Sequence, residues 1–136
     1  MADLTVDALV SNLDQVLAFV DGQLETMDCS MKAQMQIDVA VEEIYVNIAN
    51  YAYAPATGKA WISVRPDPDT ASVTIEFRDS GTPFNPLDKA DPDVTLSAED
   101  RKIGGLGIYM VKKSMDHMDY CRRDGQNILT ITKKLC

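Results

Sequence analysis

Asp79-Ser80-Gly81-Thr82-Pro83-Phe84-Asn85-Pro86 is the stretch on which the fold turns. Before it, Ser72–Asp79 alternates apolar and polar residues, the period of a half-buried strand. The stretch thus puts a carboxylate at a strand end, and Gly81 lets other groups come close to the backbone. Asp-x-Gly is also ordinary turn chemistry, and on these residues alone both readings stand. Upstream, Lys59–Arg65 alternates in the same way, and Pro66-Asp67-Pro68-Asp69 supplies a turn between the two strands, so they form a hairpin. Downstream, Ser80–Arg101 is Gly, Pro, Asp and Ser with sparse apolar residues. That is too long for an ordinary connection, and a lid is expected at about 87–103.

Working outward, Leu4–Val6 reads as a short edge strand. Asp7 then caps a helix that carries Leu9, Leu13, Val16, Leu17, Val20 and Leu24 at spacings of three and four and ends near Met27. Ser30 caps a second helix of about 24 residues with Ala33, Ile37, Ala40, Val41, Ile44 and Ile48 on its apolar face. It must stop before Pro55, because the residue preceding proline resists the α region. Gly104-Gly105-Leu106-Gly107 opens a third helix that runs to about Met115, with Ile108, Val111 and Met115 inward. Strands near Met118–Arg123 and Asn127–Leu135 close the chain, turning at Asp124-Gly125. The order β-α-α-β-β-lid-α-β-β predicts an α/β (α+β) two-layer sandwich with a mixed, mainly antiparallel sheet and helices on one face. One domain, 1–136, is expected.

Charge narrows the function. The chain has 136 residues and a net charge of −8, which argues against direct nucleic-acid binding or an anionic membrane surface. The charge is uneven: residues 1–100 carry 5 basic and 18 acidic side chains, whereas 101–136 carry 8 basic and 3 acidic. A basic region suited to a small anion therefore survives on an acidic protein. Cys29, Cys121 and Cys136 form no Cys-x-x-Cys pair, so neither a disulfide framework nor a thiolate zinc site is suggested. His117 stands alone and reads as a surface or strand-edge residue. No stretch approaches the roughly 18 apolar residues of a membrane span, and no leader is recognisable, so a soluble, unprocessed, cytoplasmic protein is expected.

Three motifs carry chemistry. At about 100° per residue, Gln36, Glu43, Asn47 and Asn50 fall on one helix line between apolar flanks. Such a line is costly unless something satisfies it, although a solvated seam is the plainer alternative. The second motif is the Asp-x-Gly after the strand. The third is the glycine run Gly104-Gly105-Leu106-Gly107 at a helix start after Arg101-Lys102, where amides, the helix dipole and two cations favour a phosphate. A glycine cap with no ligand is the alternative. Neither a Walker A loop nor a dinucleotide fingerprint fits these glycines, since Met110 occupies the third glycine's place in the latter.

In this order, Glu-x₃-Asn on a helix, Asp-x-Gly after a strand and Gly-x-Gly opening a helix resemble the three boxes of the GHKL ATPase superfamily. Asp79–Pro86 and Gly105-Leu106-Gly107-Ile108-Tyr109-Met110-Val111 resemble its single-domain branch, the anti-sigma-factor serine-protein kinases. The likeness spans about residues 3–135. It implies the Bergerat ATP-binding fold with ATP and Mg²⁺ as cofactors. By resemblance, Glu43 deprotonates the attacking hydroxyl and Asn47 coordinates Mg²⁺, with Asn50 beside them on the same line. Asp79 accepts from the adenine amino group, while Gly81, Pro83 and Phe84 complete that box around the base. Gly104, Gly105, Leu106 and Gly107 form the phosphate loop, and Arg101 or Lys102 neutralises the phosphates. Asn127 aligns with a threonine of the family, Tyr51 stands where a histidine is common and Ala52 where a glycine is. The implied partners are an anti-sigma-factor antagonist carrying the acceptor serine, a sigma factor, and a second copy of the chain in a homodimer. Two functions follow: a serine-protein kinase that doubles as an anti-sigma factor, or a nucleotide-dependent partner-binding module without phosphotransfer. A histidine kinase is disfavoured, because 136 residues hold no phosphoacceptor-histidine helix pair.

Overall fold

The computed structural model describes residues 2–88 and 105–136. Five strands, β1 (Ala2–Asp7), β2 (Lys59–Asp67), β3 (Ser72–Asp79), β4 (His117–Arg123) and β5 (Gln126–Lys134), form one sheet in the order β1-β2-β3-β5-β4. Three helices, α1 (Leu13–Leu24), α2 (Met31–Asn47) and α3 (Gly105–Ser114), supply the second layer. The expected two-layer sandwich is present. The sheet differs from the mixed one expected, because every pairing is antiparallel. The chain places β4 and β5 as a hairpin whose second strand inserts beside β3, and this leaves no parallel neighbour among the described strands.

The core lies between the layers. Ile62 and Val64 on β2, Val73, Ile75 and Phe77 on β3, and Leu129 and Ile131 on β5 are buried against Val16, Val20 and Leu24 of α1 and Ile37, Val41, Ile44 and Tyr45 of α2. Each fully buried side chain of this size contributes about 1.5–3 kcal/mol, so the alternation read from the strands is also the energetic reason they pair on this face. Asp124 and Gly125 turn the last hairpin with φ values of 54° and 77°, as the dipeptide predicts.

Two boundaries moved. Asp7 does not cap α1. It ends β1 opposite Lys59, to which it is ion-paired at 2.5 Å, and α1 begins six residues later after a 3₁₀ turn at Val10–Asn12. The strand's edge pairing and the Tyr45 hydroxyl, which donates to the Asp7 carbonyl at 3.1 Å and the Leu9 carbonyl at 2.7 Å, outweigh the local capping preference. Ser30 does cap α2, its Oγ accepting from the Ala33 N–H at 3.1 Å. The long helix then ends in a π turn over Ile48–Ala52 rather than continuing as regular α-helix. Among the described residues no helix is long and apolar enough to cross a membrane.

Candidate nucleotide site

The last turns of α2, the end of β3 and the starts of β5 and α3 meet around a cavity of about 240 Å³. Its apolar walls are Ile44, Ile48, Phe77, Ile108 and Leu129, and Asn47, Asp79, Thr82, Tyr120 and Asn127 bring polar groups to it. A mostly apolar cleft with a few convergent polar groups is the usual form of a small-molecule site. Tyr51 and Phe84 also line it while remaining 63% and 45% exposed, so two aromatic rings stand at its rim.

Asp79 is 5% exposed and Asn127 6%. The strand register sets them side by side, because Asp79 on β3 is the direct partner of Asn127 on β5. Asp79 Oδ1 accepts from the Gly81 N–H and from Asn127 Nδ2, both at 2.9 Å. Its Oδ2 takes no partner among the described residues. A carboxylate this buried carries a desolvation cost unless its lone pairs are used, so an acceptor is held ready at the cavity wall.

The loop after β3 is stitched to the end of α2. The Thr82 N–H donates to the Ala52 carbonyl at 2.8 Å, and a Cβ on Gly81 would overlap that same carbonyl. Gly81 is needed here because the chain's own backbone lies against it. The Tyr53 hydroxyl donates to the Lys59 carbonyl at 2.5 Å and accepts from the Ser80 N–H at 2.7 Å, joining three elements at one point.

Glu43 and Asn47 occupy successive turns of α2. Asn47 lines the cavity and its side chain makes no hydrogen bond to another described residue. Glu43 is half-buried and lies off that wall, against the first turn of α3, where a Cβ on Gly107 would overlap its carboxylate. A carboxylate at a helix N-terminus interacts favourably with the helix dipole. The first and third motifs are thus in contact, and Gly107 is the residue that lets them approach.

Pro83, Phe84, Asp79, Asn47 and Asn127 reach one cavity, and Gly81 adjoins it. Asn50 is not among the lining residues; Tyr51, next to it in the π turn, stands on the wall instead. Gly105 and Leu106 open α3. Arg101, Lys102 and Gly104 lie outside the described residues, as does the expected lid from residue 89 onward. Tyr120 and Thr82 are wall residues that the motifs did not single out. Tyr120 was findable from alternation on β4, since it stands opposite Leu129, two residues from Asn127. Among the described residues no group of three or more His, Cys, Asp or Glu side chains is placed to hold a metal ion.

The chain belongs to the histidine kinase-like ATPase domain family, whose sequence profile matches residues 6–133. It is similar to the serine/threonine-protein kinase BtrW of Bordetella bronchiseptica, 27% identical over 103 residues that span 76% of this chain and 72% of that one. Its fold is that of the RsbU and RsbW domain structure of Rv1364c from Mycobacterium tuberculosis, at a TM-score of 0.69 and 16% identity, covering 99% of this chain and 33% of that one. The histidine kinase domain of Erythrobacter litoralis EL346 blue-light activated histidine kinase aligns at a TM-score of 0.51 and 11% identity, covering 90% of this chain and 61% of that one. The chain therefore spans a third of the first solved structure and less than two thirds of the second.

Proposed function

We propose that this chain is an ATP-dependent serine-protein kinase that phosphorylates an anti-sigma-factor antagonist and, with nucleotide bound, restrains a sigma factor as a homodimer. The observation that carries the reading is the buried Asp79 on the wall of the mostly apolar cavity, whose Oδ1 is committed within the protein while Oδ2 takes no partner among the described residues. The likeness to a protein named as a serine/threonine kinase supports transfer to a hydroxyl.

The residues fit the cofactors. Asp79 Oδ2 accepts from an exocyclic amino group, and the apolar walls exclude water from the base. The Asn47 amide oxygen is a hard neutral ligand of the kind Mg²⁺ takes alongside water and phosphate oxygens. When bound, MgATP supplies the γ-phosphoryl group and the charge neutralisation that phosphoryl transfer chiefly requires. Glu43, one helical turn from Asn47, would take the proton from the acceptor serine hydroxyl as that oxygen bonds to the γ-phosphorus and the bond from phosphorus to the β,γ-bridging oxygen breaks, ADP being the leaving group. The amides of the α3 start, with Gly104 and Arg101 or Lys102, serve the phosphates.

The test uses Glu43→Gln. The amide keeps the shape and the contact with Gly107 but removes the base. MgATP affinity should stay within about twofold, while transfer to the antagonist serine falls about 10²–10⁴-fold. Transfer at the wild-type rate in this variant removes Glu43 from the chemistry. Because Glu43 lies off the cavity wall, the partner-binding module without transfer is the second reading. It is favoured if the wild-type chain binds MgATP and the antagonist yet yields no phosphoserine.

A further inference from the structure

Helix α2 is apolar on two faces. Ile37, Ala40, Val41 and Ile44 turn into the core, and the opposite side of such a surface helix is ordinarily polar. Here it is not. At about 100° per residue, Met31, Met35, Val39, Glu42 and Val46 fall within about 80° of arc on the side away from the core. Met31, Met35 and Val39 are 80%, 63% and 54% exposed, and Met31 is the most exposed large apolar side chain among the described residues. Single exposed apolar residues are ordinary on any surface, but these three stand one turn apart in a line about 12 Å long. The charge around the line is one-sided. Residues 13–47, which span α1 and α2, carry seven acidic side chains against one basic, Lys32. Asp14, Glu25 and Glu42 among the acidic ones are exposed.

We propose that this outward face of α2 is a docking surface for a basic amphipathic helix of a partner protein, whose apolar side lies along Met31, Met35 and Val39 and whose Lys or Arg side chains meet Glu42 and the acidic surface of α1 beside it. A row of side chains repeating every fourth residue is the ridge that a second helix packs against, and methionine, flexible and polarisable, moulds itself to a facing aliphatic row. The acidic excess selects the charge of the partner, because like charges brought to the rim of the stripe would repel. The same excess disfavours an anionic lipid surface as the occupant. None of these stripe residues lines the cavity, so the inference stands apart from the nucleotide reading and the two can fail separately.

The probe is a synthetic helical peptide of about 18 residues with leucine along one face and lysine on both flanks, its termini blocked. It is titrated without nucleotide into the full chain carrying methyl-labelled methionine and followed by NMR. The Met31 and Met35 methyl resonances should move while that of the buried Met115 stays, and affinity should fall at least tenfold in the Met35→Lys, Val39→Lys double variant, whose melting should stay near wild type because both positions are exposed. A second peptide with the same leucine face and glutamate in place of lysine should bind at least tenfold more weakly than the first. A wild-type chain that does not bind the lysine peptide overturns the proposal, and so does a double variant that binds it as wild type does. Equal affinity for the two peptides removes the basic partner. Sedimentation of the chain alone covers the remaining occupant: a dimer that the double variant dissociates gives the face to a second copy and overturns the assignment to a partner helix.

Discussion

Asp38 on α2 is a carboxyl in an unfavourable place, and replacing it should make the protein more stable at neutral pH. Its Oδ1 is buried and takes no hydrogen-bond partner among the described residues. Burial, then a hydrogen bond shared with Asp21 of α1, then Asp21's charge push its pKa from 3.8 up to about 7. Cys29, whose thiol is itself held above its ordinary value by burial and by Asp38, adds no compensating cation, and Gln34 donates instead to Asp21 at 3.4 Å. The folded state therefore holds a proton that the unfolded chain releases near pH 4. The stability this supplies is complete below about pH 4 and is lost as pH rises through 7. The full linkage from 3.8 to about 7 has an upper bound of about 4 kcal/mol, and partial solvation of the carboxyl reduces it to roughly 1–2 kcal/mol. Asp38→Asn keeps a donor toward Asp21 at every pH. Urea unfolding followed by the fluorescence of Trp61, the single tryptophan, should find the variant more stable than wild type by about 1–2 kcal/mol at pH 8, with the two nearly equal at pH 4. A stability difference that does not change between pH 4 and 8 would refute the shared-proton account.

In Asp79→Asn, the Gly81 N–H and Asn127 Nδ2 both demand an acceptor, so the new amide must keep its oxygen there and turn its NH₂ to the cavity; ATP affinity should fall by about 2–4 kcal/mol, roughly 30- to 1,000-fold, while the melting profile is nearly kept. Calorimetry returning wild-type affinity would remove Asp79 from base recognition. Gly81→Ala drives a Cβ into the Ala52 carbonyl, a backbone atom that cannot swing aside, and should cost about 2–4 kcal/mol of stability together with nucleotide affinity. Gly22→Ala, inside α1 with open space around it, should instead stabilise by about 0.5–1 kcal/mol; equal melting shifts for the two alanines would contradict the packing argument.

Alternation located β2, β3 and β5 because one face of each is buried, and a slip of one residue would invert every side chain. Helical spacing located α1 and α2 for the same reason, yet it missed Tyr45, which is fully buried and whose hydroxyl is spent on backbone carbonyls of another element. Periodicity ranks tyrosine as a boundary residue and does not see a distant acceptor. Asn50 is not among the residues lining the cavity, where Tyr51 stands, and a constant 100° step cannot anticipate the π turn that carries both. Asp79 was legible in the Asp-x-Gly motif, and Asn127 only through the family resemblance. Their contact was not, since a strand register joins residues 48 positions apart.

The stitching of the α2 end to the β3 loop also separates two jobs. The base-facing half of the cavity is held by the Thr82–Ala52 bond, the Tyr53 tether and the Asn127 network, none of which involves Glu43. Glu43 lies against the start of α3 at Gly107. Under the proposed reading, a change at position 43 removes the general base while leaving in place every one of the bonds that hold the base-facing half of the cavity.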